Sequence, residues 1–452
     1  MSVAESAVER DYALEPVPDQ DRMPWSRVVV ITLGIMGAMI FLQVSGEMAL
    51  EFGVTNAVIA LLYATLATGA LAWLLAWFAA RTGLNSSLIT RGSGYGHAGA
   101  RVTALFYAAN FIVLAAVEGS IMANAIHAYV PGLPLRAWMV VLTVVNLALN
   151  WYGIHLLERF QRFSLPLYLV LLAVAIVMAL RTPAVEGSSL PSGISITSIL
   201  AGAGILNGIV ALQALLTADY ARFTRGPSLG KTLAIGLVPQ VASFLVMGLI
   251  GIWFATRFRN PNPGVYLVLV MGLWGMLYTV LSQLRINVIN IYSSSLSLQG
   301  FFSPFSRVLG QRAIWVTVTA LAALGLMLVN VLDHIGSVLT FLGSFMFAWI
   351  GTLVADLLFA RRWRGEHGTM IEYRAERLPA WGGGFVAVVV GALVGAVCAL
   401  LVEQPTVNAC AGFIAGAVAF LVHLALCSRK TDAAAFRAPG QPAPAAFEPE
   451  QA

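Results

Sequence analysis

Apolar runs of about 20 residues, the length that crosses the hydrocarbon of a bilayer, recur along this chain near 28-50, 55-80, 102-130, 137-153, 163-181, 194-217, 232-256, 264-298, 313-332, 335-359, 381-402 and 406-427. Inside lipid the backbone finds no water to bond, so a chain built this way is confined to a bundle of helices. The balance of residues agrees: 59% of the 452 are hydrophobic and 10% charged, where soluble domains carry about a quarter charged. An all-α polytopic membrane protein of about twelve transmembrane helices is expected.

Basic residues set its orientation. With the N-terminus inside, twenty-one Lys and Arg fall on the cytosolic side, among them Arg81, Arg91, Arg101, Arg222, Arg225, Lys231, Arg361, Arg362 and Arg364. Four fall outside: Arg136, Arg181, Arg257 and Arg259. Shifting the topology by one helix inverts that bias, so both termini are expected in the cytosol and the chain in the plasma membrane. Residues 1-26 hold six carboxylates and no apolar core, and read as a cytosolic tail rather than a secretory signal. A transporter domain over 27-430 follows, and the Ala/Pro-rich 431-452 reads as a disordered cytosolic tail. Cys398, Cys410 and Cys427 have neither metal-ligand spacing nor an even count for pairing. The positive net charge is spent on topology, so no nucleic acid is expected.

The eighth run carries a polar seam. At 100° per residue Gln283, Asn287, Asn290 and Ser294 share one helical face within about 60°, and Arg285 points roughly the opposite way. An arginine at mid-membrane depth costs about 2.5–3.5 kcal/mol even on the gentlest scale. Such a helix belongs inside the bundle, facing a cavity. The plainer alternative is that the amides glue helices together, at about 0.6–2 kcal/mol each.

Glycine marks two further runs. The first holds Gly34 and Gly37, then Gln43-Val-Ser-Gly-Glu47; the sixth opens with Ala201-Gly-Ala-Gly-Ile-Leu-Asn-Gly208 and later carries Gln213. Interrupted helices five segments apart are the pattern of an inverted repeat with unwound backbone at the midplane. Close packing is the other use of glycine in membranes. The third run carries Glu118 between Asn110 and Asn124; it must take a proton, pair with an ion or lie in a wet cavity. Proton carrier and static partner of Arg285 are both open. The candidate solute-binding residues are therefore Gln43, Glu118, Asn207, Gln213, Asn287 and Asn290. The glycine-rich connection Arg81–Arg101 follows no strand and has no Lys-Ser/Thr, so it reads as a gating or docking loop rather than a phosphate cradle. Asp219 beside Arg222 reads as a solvated helix end.

Four motifs in order, Arg81-Thr-Gly-Leu, Thr217-Ala-Asp-Tyr-Ala-Arg-Phe, Asn287 to Gln299 with its Asn-Ile-Tyr-Ser-Ser-Ser-Leu-Ser-Leu-Gln run, and Ala355-Asp-Leu-Leu-Phe-Ala-Arg-Arg-Trp363, resemble the nucleobase-cation-symport family of cytosine, purine, allantoin and hydantoin permeases. The similarity spans about residues 20 to 430 and is closest to the purine-cytosine permease branch. It implies a leucine-transporter-like architecture: inverted five-helix repeats over about 27-181 and 194-359, extra helices over about 381-427, and alternating access around the first, third, sixth and eighth helices. Two departures stand out. Where relatives carry aromatic residues in the third and sixth helices, this chain aligns Val117 and Val210, so stacking of about 1–3 kcal/mol per base is missing there. Where sodium-coupled members place hydroxyls in the eighth helix, it aligns Arg285-Ile286, and a guanidinium has no lone pair for sodium. This departure from the family predicts a sodium-independent carrier with Arg285 and Glu118 as the candidate coupling site; if a proton does the coupling, Glu118 is the best-placed carrier.

The leading function is a secondary active permease for a small polar solute, such as a nucleobase or another amide-bearing heterocycle, whose lactam edge Asn287, Asn290, Gln43 and Gln213 can match. The alternatives are a permease for a vitamin or amino-acid-like solute, and a non-transporting sensor or scaffold. An enzyme is not expected: the six histidines form no i, i+4 pair, and no serine has a His or Lys placed to activate it. The expected partners are the solute and the lipid bilayer, with no cofactor and no ATPase subunit evident.

Overall fold

The first apolar run folds as two helices. In the computed structural model, which describes residues 12, 14–151, 154–302, 312–366 and 368–428, α1 (Trp25–Leu33) gives way to a 3-10 turn at Gly34–Gly37, and α2 (Ile40–Phe52) resumes the path. The first eleven residues and the expected tail at 431-452 lie outside the described residues. Gly53 turns the chain at φ +88 into α3 (Val54–Thr82), which Gly83 ends in the left-handed conformation that glycine adopts without strain. α4 (Ser86–Thr90) is capped by Asn85 and passes through a π turn at Arg91–Tyr95 into α5 (Gly96–Tyr129). α6 (Leu135–Trp151) and α7 (Ile154–Arg181) complete the first half.

The second half begins with α8 (Ile196–Ala221), then α9 (Leu229–Gln240), a π turn at Val241–Met247, and α10 (Gly248–Phe258). α11 (Pro263–Met271), α12 (Leu273–Phe302), α13 (Arg312–Leu328) and α14 (Ile335–Ala355) follow. α15 (Arg361–Trp363), α16 (Gly383–Leu400), α17 (Pro405–Ala409) and α18 (Ala411–Ser428) close the chain. Among the described residues, six stretches are long and apolar enough to cross a membrane: Val54–Thr82, Ser86–Tyr129, Ile196–Ala221, Leu229–Phe258, Val331–Trp363 and Gly383–Leu400. Shorter apolar helices cover Leu135–Trp151, Pro166–Arg181, Ala313–Leu328 and Ala411–Cys427. The protein is membrane-embedded, and among the described residues its regular secondary structure is all helical, with one isolated bridge between Met23 and Thr224.

Two expectations are corrected. The run at 264-298 is longer than a bilayer needs, and Gly272, at φ +56, splits it into the short α11 and the 30-residue α12. The sixth run is not interrupted: α8 is helical from end to end. Its glycines serve close packing. A Cβ at Gly208 would lie 2.5 Å from the Leu339 carbonyl of α14, one at Gly204 would fall on the Ala409 carbonyl of α17, and one at Gly202 would lie 3.0 Å from Ala60 of α3.

At the end of the bundle where the chain enters, residues 14–24 are strapped across the helix ends. Val17 N–H donates to Gly83 O (3.0 Å), Arg22 Nη1 to Ala80 O (2.9 Å), Met23 N–H to Phe223 O (2.7 Å), and Arg225 N–H back to Met23 O (2.8 Å). The glycine-rich connection is a docking surface here. His97 N–H donates to Pro379 O and Gly382 N–H to Tyr95 O, each at 3.0 Å, and a Cβ at Gly92 or Gly96 would strike the backbone of this later segment. Asp219 is no solvated helix end. Its Oδ1 accepts from the Ser86 N–H and hydroxyl (2.8 Å each) and its Oδ2 from the Tyr107 hydroxyl (3.0 Å), because α4 and α5 are brought under the end of α8.

Candidate functional site around the broken first helix

A helix interrupted inside a bundle leaves carbonyls open at the end of one half and N–H groups open at the start of the other. Both sets are taken here by side chains of α5 and α12, which pack closely on each other. Glu118 Oε1 accepts the Ile40 N–H at 3.3 Å, and Gln283 Oε1 accepts the Met39 N–H at 3.2 Å. The Gly37 carbonyl accepts from the Ser282 hydroxyl at 3.0 Å and from Gln283 Nε2 at 3.3 Å.

Arg285 completes the arrangement. A Cβ at Gly37 would fall on its guanidinium, and one at Gly34 would lie 3.9 Å from its Nη1, so the cation is spread along the turn that ends α1. The C-terminal end of a helix carries a partial negative charge and the N-terminal end a partial positive one. The buried cation therefore faces the negative end of α1, and the buried carboxylate faces the positive end of α2. Glycine at 37 makes this possible, because any side chain would occupy the guanidinium's place.

Glu118 is 1% exposed and Arg285 3%, yet the two are not within ion-pair distance. Glu118 Oε2, Arg285 Nε and Arg285 Nη2 have no hydrogen-bond partner, nor does Gln43 Oε1 one turn into α2. Aromatic surface is also present. Tyr168 of α7 and Tyr278 of α12 lie with ring centroids 5.3 Å apart, and Tyr168 Cδ2 is 3.8 Å from the Cβ position of Gly37. Val117 and Val210 are fully buried, so the rings beside the break come from helices other than the two expected. Ser282, Tyr168 and Tyr278 were not singled out by sequence; the serine's position one residue before Gln283 was the available signal.

The remaining candidates are dispersed. Asn287 lines a cavity of about 10 Å³ together with Ala115, Gly119, Thr143, Asn146 and Met327, room for about one water; the Oδ1 atoms of Asn287 and Asn146 are both unpartnered. Asn290 is buried on the same helix with Nδ2 unpartnered. Further along that face Ser294 donates to Ala108 O at 3.2 Å and accepts from Thr319 at 3.2 Å, so this part of the seam joins helices. Asn207 is turned toward α3, where Tyr63 donates to its Oδ1 at 2.6 Å, and toward Gly343 and Gly412. Gln213 is buried on α8, its backbone carbonyl accepting from Thr217. Gln43, Glu118 and Arg285 are thus gathered at the break, whereas Asn207 is not.

No protein-family model and no curated protein matches the sequence. Solved structures do. The chain is similar to Mhp1 in an inward-facing conformation, with TM-score 0.67 and 16% identity over 94% of this chain and 97% of that one. It is similar to Mhp1, a nucleobase-cation-symport-1 family transporter, closed with bromovinylhydantoin bound, with TM-score 0.63 and 18% identity over 94% and 96%. A Na+-coupled sialic acid symporter, substrate-bound and outward-open, matches with TM-score 0.61 and 11% identity over 93% and 92%. At these identities the likeness is one of fold, and it extends over nearly the whole chain.

Proposed function

We propose that this protein is a secondary active transporter that carries a small polar solute across the plasma membrane by alternating access, with twelve spanning helices and both termini in the cytosol. The observation that carries this reading is the first-helix break, closed by Glu118, Ser282, Gln283 and Arg285. Irregular backbone at membrane depth is tolerated where it is buried in protein or lines a cavity, and the ends of half-helices are where transporters of this construction hold solute and ion. The similar folds are those of transporters, Mhp1 with bromovinylhydantoin bound and a substrate-bound sialic acid symporter. An amide-bearing heterocycle such as a nucleobase and an amino-acid-like compound are the two solute classes in view. Gln43, Glu118 and Arg285 form the centre of the proposed site, with Asn290 and Gln213 on the neighbouring helices.

Coupling follows from the same geometry. The guanidinium of Arg285 lies over the Gly34–Gly37 turn, where it supplies the positive charge that a bound sodium ion would bring to the end of α1. The carrier is therefore proposed to be sodium-independent, with Glu118 as the proton carrier. A sensor without flux is the second reading, favoured by the unbroken α8. Solute counterflow in proteoliposomes tests both. Counterflow of a bound compound supports the transporter, and tight binding without any flux overturns it in favour of the sensor.

A further inference from the structure

A carboxyl group and a guanidinium are buried at one break in a helix without meeting each other. Glu118 is held on the α2 side by the Ile40 N–H, which occupies Oε1 and leaves Oε2 unpartnered. Arg285 is held on the α1 side against Gly37, and its Nε and Nη2 are unpartnered. Gln283, which could bridge them, is already committed to Met39 and Gly37. Helix dipoles of about half a charge offset each group in part, yet they leave open the lone pairs and N–H bonds, which a buried charge needs filled.

Gly37 and Ile40 are three residues apart, so at most about 10 Å of chain separates the two anchor points. A small molecule that carries a cation and an anion on one short skeleton fits that span. A neutral heterocycle would leave both charges without a counter-charge, and an anion alone would satisfy only one of them. The acidic groups toward the other end of α2, Glu47 and Glu51, carry the same sign as Glu118 and offer no site for a carboxylate.

We propose that the solute is zwitterionic, its carboxylate bound by Arg285 and its ammonium by Glu118. This rests on the transporter reading and narrows its solute to the amino-acid-like class. Tyr168 and Tyr278 would cover the apolar skeleton between the two groups, and the amide of Gln43, with Oε1 unpartnered, offers a second acceptor for an ammonium N–H.

The test uses the purified full chain and matched compounds, read by thermal stabilisation. Glycine, β-alanine, γ-aminobutyrate, proline and glycine betaine are the zwitterions. Glycinamide and prolinamide keep only the cation, propionate and cyclopentanecarboxylate only the anion, and cytosine, uracil and hydantoin carry neither. At least one zwitterion is expected to raise the melting temperature in a saturable way, with its single-charge counterparts about thirtyfold weaker or more. Glu118→Gln and Arg285→Gln should each abolish the shift, and Arg285→Lys should retain part of it. The wild-type comparison stands even where a variant fails to fold.

Stabilisation by a neutral compound that survives in both variants, or by no zwitterion at all, overturns the proposal. Counterflow keeps this outcome apart from failure of the transporter reading. Uptake of a neutral nucleobase would leave the transporter standing and remove the zwitterion. A zwitterion that binds without counterflow would do the reverse.

Discussion

Gln283 Oε1 accepts the backbone N–H of Met39 at 3.2 Å across the bundle, so a side chain of α12 stands in for the carbonyl that an unbroken first helix would have supplied. The same amide donates to Gly37 O. Gln283→Leu removes both contacts and leaves a buried N–H without a partner. It should cost about 1–3 kcal/mol, seen as a lower melting temperature, whereas Gln283→Glu should retain the acceptor. Unchanged melting of the leucine variant would show that the break needs no side-chain support.

Gly37 and Gly34 differ in what a methyl group would meet. At Gly37 it strikes the Arg285 guanidinium; at Gly34 the nearest guanidinium atom is 3.9 Å away, an ordinary contact. Gly37→Ala should therefore abolish solute binding and Gly34→Ala should leave most of it. The stability lost in Gly37→Ala should be partly restored by adding Arg285→Ser. Melting of the four proteins completes the cycle, and additive effects would mean that the two residues do not interact.

Sodium dependence gives a direct reading of Arg285. Initial uptake rates into proteoliposomes should be equal in sodium and in choline buffer, and Arg285→Ala should lower them. A steep sodium dependence of the native protein would falsify the view that the guanidinium takes the place of the ion.

The role of Glu118 separates along a different axis. Glu118→Gln, which removes the group proposed to bind the ammonium, should abolish solute exchange and proton-driven accumulation together, whereas Glu118→Asp should keep exchange at reduced affinity. If exchange is lost together with folding, Glu118 serves the break as a cap for Ile40 and the proton is carried elsewhere.

The glycines of α8 predict a packing defect. Gly208→Ala places a Cβ 2.5 Å from the Leu339 carbonyl, a backbone atom that can yield only if α14 moves. Overpacking of this kind costs about 1–3 kcal/mol, although alanine is the better helix former by about 1 kcal/mol. A net gain in melting temperature would show that α8 opens at this point.

Sequence reading reached the broken first helix because Gly34 and Gly37 occur beside a polar stretch, and it reached the polar side of α12 because 3.6-residue periodicity is strict. The same reasoning failed on α8. Ala201-Gly-Ala-Gly serves an unwound segment and a close-packed one equally well, and what separates them is the identity of the neighbour, Leu339 or Ala409, which lies far away in the chain. The seam of Gln283, Asn287, Asn290 and Ser294 was visible as a face but not as a division of labour. Only the packing shows Gln283 turned to the break and Ser294 to Ala108 and Thr319. The pairing of Asp219 with Ser86 and Tyr107 was hidden for the same reason: it joins positions more than a hundred residues apart.

The two backbone hydrogen bonds that Met23 makes with Phe223 and Arg225 act as a leash. They fasten the chain just before α1 to the chain just after α8, while the far end of α1 stops at a 3-10 turn whose Gly37 carbonyl is held by side chains of α12. The short helix is thus pinned at one end and jointed at the other. Any widening of the bundle beside it must either carry the end of α8 along as a single lever or begin by unzipping these bonds and those that Arg222 and Arg225 make to the Tyr12 and Arg22 carbonyls, each worth about 1 kcal/mol.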